Sequence, residues 1–185
     1  MRAFFCVTLD ERCQSTIGAI AERLRSETRM RASWVRRGNY HLTVRFLGEI
    51  DPMLTVDLDR VCRDVVRGMD PVAIALERLG AFPSAEGARV LWIGGNTPVA
   101  YVELVERLNG ELRGLGFGEE RKRPVAHVTL ARVKGRPDPA LGSLLEKVGS
   151  FSPESARVDR VTLMESRLTP SGAVYTPLFE ARLGG

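Results

Sequence analysis

The sequence predicts an α+β, duplicated bilobal fold, with two antiparallel sheets facing a central cleft and helices on the outside. Three observations carry this. The only two histidines, His41 and His127, stand in near-copies of one pattern, His-Leu-Thr-Val-Arg-Phe-Leu-Gly at 41–48 and His-Val-Thr-Leu-Ala-Arg-Val at 127–133. Both copies alternate apolar and polar residues with the period of two that marks a half-buried strand. The copies lie 86 residues apart, and a similar order of strand, helix, motif strand, helix and further strands surrounds each. No linker composition separates the halves, so residues 1–185 are expected to form a single domain of two interlocked, pseudo-symmetric lobes.

Taken in order, residues 2–9 read as a strand. Residues 11–25 read as a helix, because Ile17, Ile20, Ala21 and Leu24 fall on one stripe behind Asp10, a suitable N-cap. A short extended piece around Trp34 leads through Arg37-Gly38-Asn39, a turn signal, into the first motif strand. Residues 53–66 form a second helix with Leu54, Leu58, Val61, Cys62 and Val65 inward. Residues 71–79 and 89–93 read as single strands around the loop at 82–87. Residues 98–115 form a helix with Pro98 in its first turn and Leu104, Leu108, Leu112 and Leu115 buried. The glycines of 114–118 follow that helix instead of a strand, so they read as a C-terminal cap and turn, not a phosphate cradle. A helix at 139–148 and strands at 155–168 and 173–182, joined at Thr169-Pro170-Ser171-Gly172, complete the chain.

Alternation also says what the motif strands present. His41, Thr43 and Arg45 should share one face while Leu42, Val44 and Phe46 take the other; in the second copy His127 and Thr129 oppose Val128 and Leu130. A lone strand histidine is ordinarily just partly buried. A Ser or Thr two places after both histidines arises by accident about one time in sixty, on average usage. Each strand thus offers an imidazole and a hydroxyl to a common surface.

At 185 residues and 44% hydrophobic, the chain can bury a core without disulfides or metal. Cys6, Cys13 and Cys62 are odd in number and lack CxxC spacing, which fits buried free thiols in a reducing compartment. No run of about eighteen apolar residues occurs, and the start reads as a strand entering a helix; a cytoplasmic protein is expected, with no membrane span. The net charge is +4, and the excess brackets the motifs: Arg36 and Arg37 before the first, Arg121, Lys122 and Arg123 before the second, Arg132, Lys134 and Arg136 after it. That placement favours a polyanionic substrate. Without a coiled-coil heptad or an obvious interface stripe, a monomer is expected.

Two imidazoles divide the work of phosphodiester cleavage, one taking a proton from the nucleophile and the other giving one to the leaving oxygen, while threonine hydroxyls donate to the non-bridging oxygens. The scheme needs no cofactor. Two histidines without HExxH or paired cysteines are poor material for a catalytic zinc site, and neither GxSxG nor GxxxxGK[ST] is present.

His41-Leu42-Thr43-Val44 and His127-Val128-Thr129-Leu130 resemble the paired HxTx motifs of the 2H phosphoesterase superfamily. The wider context is similar to its RNA 2′,3′-cyclic phosphodiesterase branch, the 2′-5′ RNA ligase family. Landmarks include Arg2-Ala3-Phe4-Phe5, Trp34-Val35, Asn39-Tyr40, Gly48-Glu49, Ala81-Phe82-Pro83-Ser84, Val90-Leu91-Trp92, Gly116-Phe117 and Glu165-Ser166-Arg167-Leu168 with Gly172-Ala173 and Tyr175. The resemblance implies metal-independent opening of a terminal RNA 2′,3′-cyclic phosphate to a 2′-phosphate. His41 would be the acid and His127 the base, or the reverse, with Thr43 and Thr129 on the phosphate and 2′-5′ joining of RNA ends as a secondary activity.

Arg132 matches a family arginine expected near the phosphate, yet strict alternation puts it opposite His127 and Thr129. Either the strand twists or ends by Ala131, or Arg132 is a surface charge. Arg45 has the favourable parity. Phe5 and Tyr175 either line the groove or lie in the core. Where the branch has an aromatic, a basic residue and proline before the second histidine, this chain reads Arg123-Pro124-Val125-Ala126, which bears on the entering loop. The other readings are a non-catalytic RNA- or nucleotide-binding module, and a phosphodiesterase for another cyclic or 2′-5′-linked nucleotide.

Overall fold

Apolar alternation and helical stripes leave each half with faces that must be covered, and the chain covers them by interleaving its strands. The computed structural model describes residues 1–120, 122–151, 154–170 and 172–184; Arg121 of the basic cluster and Ser171 of the last turn lie outside them. The elements are β1 (Arg2–Thr8), α1 (Glu11–Glu27), β2 (Ala32–Trp34), β3 (His41–Glu49), α2 (Thr55–Val66), β4 (Val72–Leu76), β5 (Arg78–Phe82), β6 (Val90–Gly94), α3 (Val99–Gly114), β7 (His127–Val133), α4 (Leu141–Val148), β8 (Glu154–Val158), β9 (Arg160–Thr169) and β10 (Gly172–Arg182). A one-turn 3₁₀ helix, Pro52–Leu54, precedes α2. This is the α+β class expected from the pattern, and every strand pair is antiparallel.

One sheet runs β10-β9-β1-β3-β7-β6-β5 with β2 on the flank of β7, and a separate ladder pairs β4 with β8. Leaving β10 aside, the order is palindromic if β1 matches β6, β3 matches β7 and β5 matches β9. Its centre is the pair Leu42–Val128, where the two motif strands join edge to edge. The last strand of each half lies against the first strand of the other, β5 on β6 and β9 on β1.

Two expected strands each divide in two. Residues 71–79 change partners at Glu77, β4 going to the small ladder and β5 to the large sheet, and residues 155–168 do the same at Asp159. The sheet change is anchored by Glu77 N–H on Gly94 O (3.0 Å) and Leu183 N–H on Asp159 O (2.9 Å). The alternation slips by one residue at both points, from Leu76 to Leu79 across Glu77-Arg78 and from Val158 to Val161 across Asp159-Arg160, but the slip does not say which strand lies alongside next.

The remaining signals act as local chemistry requires. Asp10 accepts from Cys13 N–H at 2.7 Å, and Asp51 accepts from Met53 N–H at 2.9 Å. At the end of α3, Phe117 N–H reaches Leu112 O and Gly116 N–H reaches Arg113 O, with Gly116 at φ +86°. That is the left-handed cap expected of the glycine run. Phe5, Leu42, Val128 and Leu130 join Ile17, Leu24, Leu104 and Leu108 in the core on one side of the sheet. All three cysteines are free and buried, and burial pushes the thiols of Cys6 and Cys62 up to about 12. Among the described residues no helix is long and apolar enough to cross a membrane.

One buried side chain ties α1 to the first motif strand. Gln14, 6% exposed, donates to Tyr40 O (2.7 Å) and accepts from Gly38 N–H (2.9 Å) and Tyr40 N–H (3.3 Å). It satisfies the backbone of the loop that delivers His41. Gln14→Leu should fill the same space yet strand these groups, costing about 1–3 kcal/mol per group left buried and unpaired. Chemical denaturation should show the loss, and hydrogen exchange should show Gly38 and Tyr40 deprotected while the α3 amides stay as in wild type.

Candidate active site

Each histidine opens a strand and is held by the carbonyl two residues before it. His41 Nδ1 lies 2.8 Å from Asn39 O, and His127 Nδ1 lies 2.8 Å from Val125 O. A carbonyl only accepts, so both Nδ1 atoms carry hydrogen, and in the neutral ring Nε2 keeps the lone pair. The two imidazoles are thereby set in the same tautomer. Asn39 is itself fixed by its side-chain amide donating to Ala173 O (2.9 Å). On the other side Ala126 N–H donates to Thr97 Oγ1 (3.0 Å). The unusual Pro124-Val125-Ala126 entry therefore still supplies the anchor, because it does so through backbone.

Continuing the Leu42–Val128 register sets His41 across from Thr129, and Thr43 across from His127. The four side chains that the motifs single out share one face around the centre of the palindrome. The ladder between the strands is a single pair, so they splay and leave a groove. Thr43 and Thr129 are half-buried, and among the described residues neither hydroxyl has a hydrogen-bond partner.

Arg132 also belongs to this face, for a reason that alternation does not contain. Against β6, Thr129 pairs with Trp92 and Ala131 with Leu91, so Leu130 is an extra, bulged residue whose carbonyl is taken by Val35 N–H (2.9 Å). A bulge inverts the phase of the strand beyond it. Leu130 and Ala131 are accordingly both buried, and Arg132 emerges on the side of His127 and Thr129. The guanidinium is close enough to act on both imidazoles and on Tyr175.

The same bulge occurs at the same place in β3, and it overturns the expected parity of Arg45. Thr43 pairs with Cys6 and Arg45 with Phe5, which leaves Val44 as the extra residue. Arg45 is turned away from His41; its side chain is 10% exposed, bonded to Gly118 O and 3.3 Å from Glu120. Phe46, expected on the core side, is 54% exposed and packs with its ring tilted 5.8 Å from that of Phe4, which itself lies 4.9 Å from His41. Five residues after each histidine the site thus carries Phe46 in one copy and Arg132 in the other.

Aromatic rings wall both imidazoles. Phe4 and Tyr175 flank His41 at 4.9 and 5.4 Å, while Phe82 and Trp92 flank His127 at 5.0 and 6.4 Å. A cavity of about 260 Å³ lies between His41, Phe4, Tyr175 and Met164. Of the two aromatics considered in the sequence, Tyr175 faces the site and Phe5 is core, packed on Phe179 at 6.1 Å. Sequence reasoning does not single out Phe4, Phe46, Phe82 or Trp92 as site residues, because cross-strand pairing is what brings them here. One local trace exists in Gly80: a Cβ there would lie 2.2 Å from Trp92 Cζ2, so only glycine lets the indole lie across β5.

Burial is the main cause that pulls both imidazoles below their ordinary 6.5, opposed by the carbonyl bonds at Nδ1. Arg132 adds a repelling charge to each, and a charged His127 adds another to His41. Burial and neighbouring charge therefore favour neutral rings, and an anion between them would favour protonation. Among the described residues, no three His, Cys, Asp or Glu side chains gather as a metal site.

The model of the LigT-like phosphoesterase family matches residues 7–92 and 96–175. A protein of Methanothermobacter thermautotrophicus named RNA 2′,3′-cyclic phosphodiesterase is 34% identical over 184 residues, 99% of each chain. One of the same name from Thermotoga maritima is also 34% identical, over 100% of this chain and 97% of its own. The crystal structure of TT0787 of Thermus thermophilus superposes with a TM-score of 0.81 at 26% identity, covering 100% of this chain and 99% of that one. Escherichia coli LigT, solved with 3′-AMP, shares the fold with a TM-score of 0.77 at 22% identity, over 100% and 98% of the chains. The chain belongs to the LigT-like phosphoesterase family.

Proposed function

We propose that the chain is an RNA 2′,3′-cyclic phosphodiesterase, a single domain of two lobes that opens the terminal cyclic phosphate to a 2′-phosphate without a metal. The observation that carries the reading is the pair of Nδ1-anchored imidazoles sharing one face with two threonine hydroxyls and Arg132. The names of the full-length relatives supply the RNA substrate.

In this reading His127 is the base and His41 the acid. The hydrogen bond of His127 lies at the surface, where water arrives, whereas that of His41 is part-buried beside Tyr175. Water loses a proton to His127 Nε2 as its oxygen bonds to phosphorus. The P–O3′ bond breaks, and His41 Nε2–H delivers a proton to O3′. Thr43 and Thr129 donate to the non-bridging oxygens, and Arg132 offsets the charge that builds there. A 5′-hydroxyl in place of water would yield a 2′-5′ linkage by the same transfers. The reading includes a monomer in the cytoplasm, a compartment that suits three unpaired cysteines.

A nucleoside 2′,3′-cyclic phosphate should be opened in the presence of EDTA, and His41→Ala or His127→Ala should each lower kcat by about 10²- to 10⁴-fold. Either variant turning over at the wild-type rate would remove the two-histidine scheme, and loss of turnover in chelator would remove its metal independence.

The pH profile follows from the lowered values. One ring must be neutral and one charged, so kcat/KM for the free enzyme should trace a bell centred below pH 6.5. With the anionic substrate bound, protonation is favoured and the kcat bell should move to higher pH. Arg132→Gln removes a repelling charge from both rings, so it should shift the kcat/KM bell upward while reducing its height. An unshifted bell would show that the guanidinium does not act on the pair.

A further inference from the structure

We propose that the groove between α1 and residues 32–37 holds the ribose-phosphate chain upstream of the reacting phosphate, which makes single-stranded RNA ends, rather than free cyclic nucleotides, the preferred substrate. The proposal rests on the phosphodiesterase reading above and extends it from the terminal nucleotide to the polymer.

The groove encloses about 950 Å³, and its lining brings Arg25, Arg36, Arg37 and Lys134 together against one carboxylate, Glu22. Arg25 is neutralised by Glu22 at 3.6 Å, and Arg37 is paired with Glu11. Arg36 and Lys134 are exposed and have no carboxylate partner among the described residues. Both stand on the strand-side wall, and two unpaired cations in a cleft raise the local potential more than the same charges scattered on a convex surface. Trp34, half-buried in the same lining, offers a flat face on which any base can stack.

The groove adjoins the candidate site at the loop that delivers His41. Tyr40 lines both it and the cavity beside His41. Ser33 pairs across the β2–β7 ladder with Arg132. Arg36 packs by Gly172, at the turn of the β9–β10 hairpin whose Ala173 carbonyl holds Asn39. A chain leaving the phosphate at His41 and turning past the loop at 36–40 would meet this basic groove, with Trp34 in its lining. A mononucleotide has nothing to place in it.

The test compares uridine 2′,3′-cyclic phosphate with a single-stranded oligoribonucleotide of several residues ending in the same group, using wild type and the double variant Arg36→Gln/Lys134→Gln, with folding checked by thermal melting. At low salt the double variant should raise KM for the oligonucleotide by about tenfold and leave the mononucleotide constants as in wild type. The slope of log(kcat/KM) against log salt for the oligonucleotide should become shallower by about 1.4, since each phosphate contact to a single strand contributes about 0.7. An oligonucleotide KM and salt slope equal to wild type, or equal losses on both substrates, would overturn the groove. Should wild type open neither substrate, the phosphodiesterase reading fails by itself. Anisotropy of the labelled oligonucleotide on the same two proteins then decides the groove, and binding as tight to the variant as to wild type would sink it.

Discussion

The candidate site is organised about one backbone pairing, Leu42 with Val128. It joins the two motif strands in antiparallel register at equivalent positions, so whatever flanks one histidine is carried, by rotation, to the flank of the other. Because the pairing extends no further, the strands diverge from it and hold their outward side chains apart. A longer ladder would close the groove, and no ladder would leave the imidazoles unrelated. The carbonyls of Asn39 and Val125 then fix what rotation alone leaves open, the tautomer each ring presents.

The proposed division into acid and base requires that this symmetry be broken, and it is broken around the histidines rather than at them. Phe46 and Arg132 occupy matching positions but offer an aromatic surface on one side and a charge on the other. The loop entering His41 is clamped from three directions by buried Gln14, while that entering His127 is held at Ala126 by Thr97. Two rings of equal tautomer thus sit in unequal surroundings, and repulsion between their charged forms favours having one protonated at a time.

Local pattern carries much of this into the sequence. Helix stripes, the Asp10 cap, the glycine stop after α3 and the facing of His41, Thr43, His127 and Thr129 are all set within a few residues, where 3.6 and 2.0 periodicities act. Bulges at Val44 and Leu130 are not legible there, since one extra residue leaves composition unchanged while reversing every side chain after it. That is why alternation puts Arg45 on the wrong face and sets Arg132 in conflict with its family match. The partner changes at Glu77 and Asp159, and the aromatic walls from Phe4, Phe82 and Trp92, depend on which distant strand lies alongside. That choice is made by the whole sheet, not by any segment.

The exchange of outer strands has a consequence for how such a protein can arise. With β5 completing the sheet of the second half and β9 that of the first, neither half alone can satisfy its own edge. A half-length ancestor would have been obliged to pair with a second copy, trading its terminal strand and placing a dimer axis where Leu42 and Val128 now meet. Fusing the copies frees assembly from concentration and, more importantly, from identity. Only after such a fusion can one copy keep a phenyl ring where its twin acquires a guanidinium.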